Sequence, residues 1–466
     1  MNGLDTAATR RETRWEILRL GVPVSLEAAF QAGLGLVDQV AVARLGEEAV
    51  AGVGLTNQLV FVITLVLGTL GTSVAILVAQ HHGRGERAAA AQAIGAAVWL
   101  GLFLSVPLVA VLALLPEQAL QAMGAAPAVM EASAPFMRLI AGTLPLHLLA
   151  AVAAGALRSV GDTRTPMLIT LGSVGINTGL NFLLVFGVGP VPTLGVRGAA
   201  LATLVSCTFR VLALAAVVVS PRRQLALRTA HLARPARPML LELGRLSWPM
   251  ALVELLWTAG LLLYALMCAR LGTREVAAWQ IATTVEGAFI MLSSGLAVAG
   301  LTLVGQELGA GNTSGARAKS REVLGLGLQA SLLFGLLAAS GVFWLQQLYP
   351  EVTVDAMRLA VFGLVLNALF QPAKVLNMIL GNGVLRAGGD TRFILMADIL
   401  SIYAVGIPLA LLLAFPLQLG FVGVLIGRLL EEGARLALYL FRYRAPERLQ
   451  RLDWERSSGN AGHRSA

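Results

Sequence analysis

The chain has 466 residues, 57% of them hydrophobic and 13% charged, with a mean hydropathy of +0.76. A soluble domain carries about 25% charged residues, so this composition excludes one and indicates an integral membrane protein. The formal charge of +9 comes with no basic patch interleaved with aromatics, which excludes nucleic acid as a partner, and two cysteines in apolar runs, Cys207 and Cys268, imply no disulfide framework.

Twelve apolar runs are each long enough to cross a hydrocarbon core about 30 Å thick. The first half gives 17–43, 49–79, 92–115, 134–157, 166–188 and 195–219, and the second gives 246–270, 276–305, 322–347, 357–384, 393–415 and 418–440. None shows the period-two alternation of barrel strands, so all are predicted as helices, whose backbone groups are satisfied within the segment. The first run is longer than a signal-peptide core and carries acids, so it reads as a membrane span.

Between the sixth and seventh runs, 220–245 is rich in Pro and Arg and reads as a cytoplasmic linker against anionic headgroups. The stretch 442–466 reads as a polar tail. With the N-terminus cytoplasmic, 25 of the 35 Lys and Arg fall on that side and six on the other, which places both termini in the cytoplasm. Arg outnumbers Lys by 33 to two, and Ala is abundant, as in a GC-rich bacterial genome, so the expected location is a bacterial cytoplasmic (inner) membrane.

The two halves repeat one another. Pro23, Ala43-Arg44-Leu45-Gly46 and Gln80 return 226 residues later as Pro249, Ala269-Arg270-Leu271-Gly272 and Gln306. Leu157-Arg158 with Gly161-Asp162-Thr163-Arg164 returns at an offset of 228 and Leu194-Gly195 at 225. The expected fold is therefore an all-α membrane protein of twelve transmembrane helices in two six-helix lobes, 1–219 and 246–441. Six crossings per half relate the lobes by a pseudo-two-fold axis along the membrane normal, as in secondary transporters.

Ionisable groups within spans cost about 2.5 to 3.5 kcal/mol each on insertion scales, so each marks a candidate site. Asp38 is the foremost, with Glu27 and Gln31 at helical spacing on the same face and Pro23 as a hinge. Burial favours the protonated form of a carboxyl and a bound Na⁺ favours the ionised form, so proton and sodium compete for one group, and that competition is the chemistry of cation-coupled antiport. The fifth run offers a stripe of neutral oxygens, Thr170, Ser173, Asn177 and Asn181, and Thr203 opens the next.

The second half differs, since Tyr264 stands where the first has Asp38. Its polar groups are Glu254, Glu286, Asn367, Gln371, Lys374 and Asp398, and Lys374 is expected to pair with one of the acids. Arg428, Glu431, Glu432 and Arg435 have the spacing of i,i+3 and i,i+4 pairs near the cytoplasmic end of the last helix. No nucleophile–base set or metal cluster accompanies His147, the sole histidine within a run, so the chain does not read as an enzyme.

As a set, these residues resemble the multidrug and toxic compound extrusion (MATE) transporters, and among them the DinF-like bacterial branch. The resemblance runs over about 17–445 and rests on Pro23 with Asp38, Leu157-Arg158 with Gly161-Asp162-Thr163-Arg164-Thr165-Pro166, Asn177 with Asn181, Gly198-Ala199-Ala200-Leu201-Ala202-Thr203, Ala278-Trp279-Gln280 and Val304-Gly305-Gln306. It implies two lobes around a central cavity and export of amphipathic, often cationic small molecules in exchange for H⁺ or Na⁺, with no other cofactor, by a monomer in the bilayer.

The same resemblance implies a cation-coupling site at Asp38, Asn177, Asn181 and Thr203, with Asp38, Asn177 and Asn181 as the Na⁺ candidates. Members with a well-defined sodium site carry a carboxylate where this chain has Asn181, which favours protons here. Members with a coupling acid on the seventh helix place it farther beyond the proline than Glu254, five residues after Pro249, so the role is not carried to Glu254. Glu27, Gln31, Glu254, Glu286, Gln371, Lys374 and Asp398 remain candidate cavity-lining groups. The alternative in the broader superfamily, a lipid-linked glycan flippase, needs a cationic cavity, whereas acids and amides dominate here and Lys374 is the exception.

Overall fold

A computed structural model describes residues 10–33, 46–187, 192–220 and 236–445 in full, and the backbone alone at 2–9 and 34–43. Within these residues every regular element is helical. The first half holds α1 (Asn2–Ala43), α2 (Glu47–Gly83), α3 (Arg87–Leu114), α4 (Pro116–Ala122), α5 (Pro127–Ala141), α6 (Thr143–Ser159), α7 (Arg164–Phe186) and α8 (Gly195–Val219). The second holds α9 (Arg237–Leu271), α10 (Thr273–Gly309), α11 (Thr313–Leu348), α12 (Val354–Leu369), α13 (Gln371–Met378), α14 (Leu385–Ala387), α15 (Thr391–Ile399), α16 (Ile407–Ala414) and α17 (Gly420–Arg444). Two π-helical turns, Ile379–Val384 and Leu400–Gly406, complete the spans of α13 and α15.

Among the described residues nine helical segments are long and apolar enough to cross a membrane. Val354–Leu369 with Gln371–Ala387, bent by 56°, makes a tenth. Outside this set, α1 has side chains beyond the described residues, and α17 loses hydropathy to Arg428, Glu431, Glu432 and Arg435, all of them buried. Large apolar side chains on the outer faces, such as Phe103, Leu336 and Phe343, stand more than 70% exposed without lipid. A surface of that kind is one for the bilayer.

Two of the predicted single spans are interrupted by a turn residue, though only 357–384 is bent sharply enough to count as a broken span. The run 134–157 divides at Gly142 and 357–384 at Phe370, and in each case a proline follows, Pro145 and Pro372. A proline offers no N–H to the carbonyl four residues back and crowds it, so the helix bends just upstream. Pro145 and Pro372 are 227 residues apart, but Leu157 and Leu385 are 228 apart. The π turn at Ile379–Val384 absorbs the additional residue.

Most helices outrun the predicted spans. α2 continues through Gln80 and His81 to Gly83, and α10 through Gln306 to Gly309, beyond the runs 49–79 and 276–305. Helix continues where backbone bonds allow, whereas hydropathy marks only the part within hydrocarbon. α9 begins at Arg237 inside the expected linker, with Pro238 in its first turn, where its missing N–H costs nothing. Residues 221–235 and 446–466 lie outside the described residues.

By contacts the chain forms two compact units, Pro23–Ala251 and Met1–Val22 with Leu252–Ala466. Each unit thus takes in the leading segment of a helix that continues in the other. In the second unit the start of α1 is held by Arg14 Nε on Glu322 Oε2 at 2.9 Å, and Gly21 lies against the Gly295 carbonyl so closely that a Cβ would come within 3.1 Å of it. In the first unit the start of α9 is held by Ser247 Oγ and Ser73 Oγ, 2.7 Å apart and buried. The helix α1 runs unbroken through Pro23, the residue at which the units divide.

The core of the first unit packs α2 on α6 through small residues. A Cβ on Gly155 would stand 2.5 Å from the Gly71 carbonyl oxygen, so two backbones touch where any side chain would intrude. Gly427 of α17 sits equally close to Ala410 of α16, with 2.5 Å from a Cβ to the Ala410 nitrogen.

Candidate cation site

In the first unit the predicted stripe on α7 is real and buried. Thr170, Ser173, Asn177 and Asn181 are all at most 7% exposed, at the 3-4-4 spacing that keeps one helix face. Asn181 Nδ2 donates to Asn177 Oδ1 at 2.8 Å. Asn177 Nδ2 in turn reaches Thr203 Oγ1 at 3.3 Å and Ser206 Oγ at 3.4 Å on α8. Ser173 Oγ donates to the Ser206 carbonyl at 2.9 Å. Three of the four predicted coupling residues, Asn177, Asn181 and Thr203, are therefore joined in one network of neutral groups.

Asp38, the fourth, lies on the α1 backbone, and its side chain is outside the described residues. Glu27, three turns earlier, is 2% exposed. Arg158 Nη2 donates to its Oε2 at 2.6 Å and Thr170 Oγ1 to its Oε1 at 2.8 Å. Its charge is thus already matched by Arg158 of the repeated Leu-Arg motif. Gln31, one turn beyond Glu27, is exposed. A small cavity of about 110 Å³ lies beside the network, lined by Asn57, Thr143, His147 and Thr203 among apolar neighbours. His147 Nε2 is 3.7 Å from Cys207 Sγ.

The second unit holds a denser ionic set. Lys374 Nζ lies 2.9 Å from Glu286 Oε1 and donates to Asn367 Oδ1 at 2.7 Å, which supplies the expected acidic partner. Arg428 Nη2 is 2.8 Å from the same Glu286 oxygen. Here the i,i+3/i,i+4 expectation needs correction. Arg435 does pair along its helix, with Glu431 at 2.5 Å and Glu432 at 3.2 Å, but Arg428 pairs across helices with Glu286. None of the four is at a solvated helix end, since all are at most 7% exposed. The aromatic faces of Trp279 and Tyr264, 5.4 and 5.9 Å from the Arg428 guanidinium, explain why it turns inward.

Asp398 Oδ1 accepts from Tyr439 at 2.9 Å and lies 2.9 Å from Arg435 Nε. Glu254 meets Arg386 at 3.5 Å, and Gln371 is 1% exposed with no partner for its Nε2 among the described residues. Three partners went unread in the sequence: Tyr264 to Glu431 at 2.7 Å, Tyr439 to Asp398, and Asn377 to Glu432 at 2.8 Å. The repeat does not point to Tyr439 or Asn377, whose counterparts Leu214 and Ala150 are apolar, but it does align other polar positions of the two sets. At 225, Thr203, Cys207 and Arg210 correspond to Arg428, Glu432 and Arg435, and at 227 His147 corresponds to Lys374. The halves share these polar positions, and of the four pairs only Arg210 and Arg435 keep the same residue type.

The family model described as MatE matches this chain twice, over residues 23–183 and again over 249–412. The chain belongs to the MATE family. The two matches begin at the paired prolines Pro23 and Pro249 and so follow the internal repeat. Among curated relatives, it is 29% identical over 441 residues to the "Probable multidrug resistance protein NorM" of Thermotoga maritima, covering 92% of each chain. It is 30% identical over 440 residues to the protein of that name in Bradyrhizobium diazoefficiens, again covering 92% of each. Among solved structures, a MATE "in the bent conformation" matches with a TM-score of 0.85 at 21% identity, covering 97% of this chain and 98% of that one. The "eukaryotic MATE transporter AtDTX14" matches with 0.81 at 18% identity, covering 95% and 99%. These likenesses show the twelve-helix MATE fold, and the relatives carry the NorM name rather than one from the DinF-like branch.

Proposed function

We propose that this MATE protein is a cation-coupled antiporter that exports amphipathic, often cationic small molecules by alternating access. Asp38 is its coupling acid, and Asn177, Asn181 and Thr203 complete the coupling site. The observation that carries this reading is the buried neutral network on α7 and α8, in the unit whose first helix bears Asp38. Neutral amides and hydroxyls of that kind are retained in a bilayer where they serve a pathway or a site. The relatives named as multidrug resistance proteins support the substrate class.

Protons are favoured over sodium as the coupling ion. A hard cation prefers anionic oxygens, and around the network Glu27 is already committed to Arg158 and Thr170. The protein works as a monomer in a bacterial inner membrane with both termini in the cytoplasm, as the asymmetry of Lys and Arg supports.

The test is uptake of a fluorescent organic cation into inverted vesicles, first under a proton gradient alone and then under a sodium gradient alone. The proton gradient drives uptake, and Asp38→Asn abolishes it while the variant still reaches the membrane. Uptake driven by sodium alone, or unchanged in Asp38→Asn, overturns the assignment.

A further inference from the structure

The ionic set of the second unit does not balance. Lys374, Arg428 and Arg435 supply three positive charges, whereas Glu286, Asp398, Glu431 and Glu432 supply four negative ones, and every one of these residues is at most 7% exposed. The adjoining pair Glu254–Arg386 is itself neutral and leaves the excess at one. An uncompensated charge in a membrane interior is far more costly than a paired one, so the excess calls for a bound positive charge.

The location follows from the hydrogen bonds. Glu286 faces two cations of its own, and Asp398 is met by both Arg435 and Tyr439. Glu431 and Glu432 are sequence neighbours that share with Asp398 the one guanidinium of Arg435, which cannot neutralise both. Beside them Asn377 donates its Nδ2 to Glu432 Oε2 at 2.8 Å and to the Glu432 carbonyl at 2.9 Å, while its Oδ1 is buried with no partner among the described residues. A buried acceptor oxygen with nothing to accept, on the amide that already binds a surplus carboxylate, is a place for a cation or a shared proton.

We propose that the second unit binds one monovalent positive charge, a proton or Na⁺, at Glu431 and Glu432 with Asn377 as the neutral ligand. The charged and titratable groups facing this pair are Tyr264 from α9, Lys374 from α13, Asp398 and Tyr403 from α15 and its π turn, and Arg428 and Arg435 from α17 itself. Of these only Arg435 makes a direct ion pair with either glutamate. The site is separate from Asp38 and stands whether or not Asp38 is the coupling acid.

The test uses full-length protein in lipid nanodiscs, with Asp38→Asn as the parent so that the first unit contributes no signal. Two quantities are measured: the infrared carbonyl band of a protonated carboxylic acid, and binding of radioactive sodium. The parent shows either the band without sodium, which assigns a proton, or one equivalent of sodium, which assigns Na⁺. Adding Glu432→Gln or Glu431→Gln removes that signal, because one fewer carboxylate leaves the set balanced. The unfolding temperature separates loss of the site from loss of the fold: both Gln variants unfold within a few degrees of the parent, whereas Arg435→Gln, which enlarges the excess to two, unfolds lower. A parent with neither signal, or Gln variants that keep it undiminished, overturns the proposal.

Discussion

The hydroxyl of Tyr264 donates to Glu431 Oε2 at 2.7 Å, deep in the second unit, at the repeat position where the first half carries Asp38. Tyr264 is 1% exposed and stacks on Trp279 with ring centroids 5.9 Å apart. Where the first half places an acid at this position of its first helix, the second places a phenol that donates to an acid on its last helix. Tyr264→Phe keeps the packing and removes only the donor. Its expected cost is about 1–3 kcal/mol, the penalty for leaving a buried acceptor unmet, and it is read as a lower unfolding temperature in detergent. An unchanged temperature would show that Glu431 finds another donor.

The Glu27–Arg158 pair yields a second prediction. Glu27 is almost wholly buried, and Arg158 is about a quarter exposed, so removing the acid leaves a cation that water only partly reaches. Glu27→Ala is therefore expected to cost about 3 kcal/mol, and Glu27→Ala with Arg158→Leu less than the sum of the two single changes. A double-mutant cycle on unfolding free energy measures the coupling. Strict additivity would mean that the pair contributes nothing.

Much of this was legible in the sequence, for physical reasons that also mark where reading stopped. Hydropathy locates spans because hydrocarbon thickness fixes their length, and the offset of 226 between Pro23 and Pro249 recovers the two halves. The stripe Thr170, Ser173, Asn177 and Asn181 was readable because helical spacing alone puts those residues on one face. Arg428 was misread by the same logic. Spacing along a helix sees Glu431 and Glu432 but not Glu286, which reaches Arg428 from another helix 142 residues away. Nor does hydropathy show the assignment of residues before Pro23 to the second unit, since that is decided by contacts such as Arg14 with Glu322.

Close backbone approach at Gly155 predicts a sharp contrast between two glycines. In Gly155→Ala the new Cβ would lie 2.5 Å from the Gly71 carbonyl oxygen, so α2 and α6 must separate, at an expected cost of about 1–3 kcal/mol. Gly175, in the middle of α7, has no atom within 4 Å of its would-be Cβ. Gly175→Ala is expected to be neutral or to stabilise by up to about 1 kcal/mol through helix propensity. Unfolding temperatures of the two variants, measured side by side, check both signs.

Asn181→Asp tests what sets the choice of ion. Asn181 donates its Nδ2 to Asn177 Oδ1 at 2.8 Å, and a carboxylate at 181 has no such donor. The change therefore places a negative charge in a network of neutral oxygens and frees Asn177 Oδ1 to face a cation instead. If the missing charge is what excludes sodium, transport in vesicles becomes stimulated by a sodium gradient in Asn181→Asp where the parent responds to protons alone. The expected gain is a sodium response at least several-fold above the parent, with the proton-driven rate reduced, because the added carboxylate also needs a proton when sodium is absent. Asn181→Leu serves as the control for disruption of the network: it removes the same hydrogen bond without adding charge, and is expected to weaken proton-driven transport with no gain in sodium dependence. A sodium response in both variants would attribute the change to loss of the Asn181–Asn177 bond. A response in neither would place the choice of ion elsewhere than at residue 181.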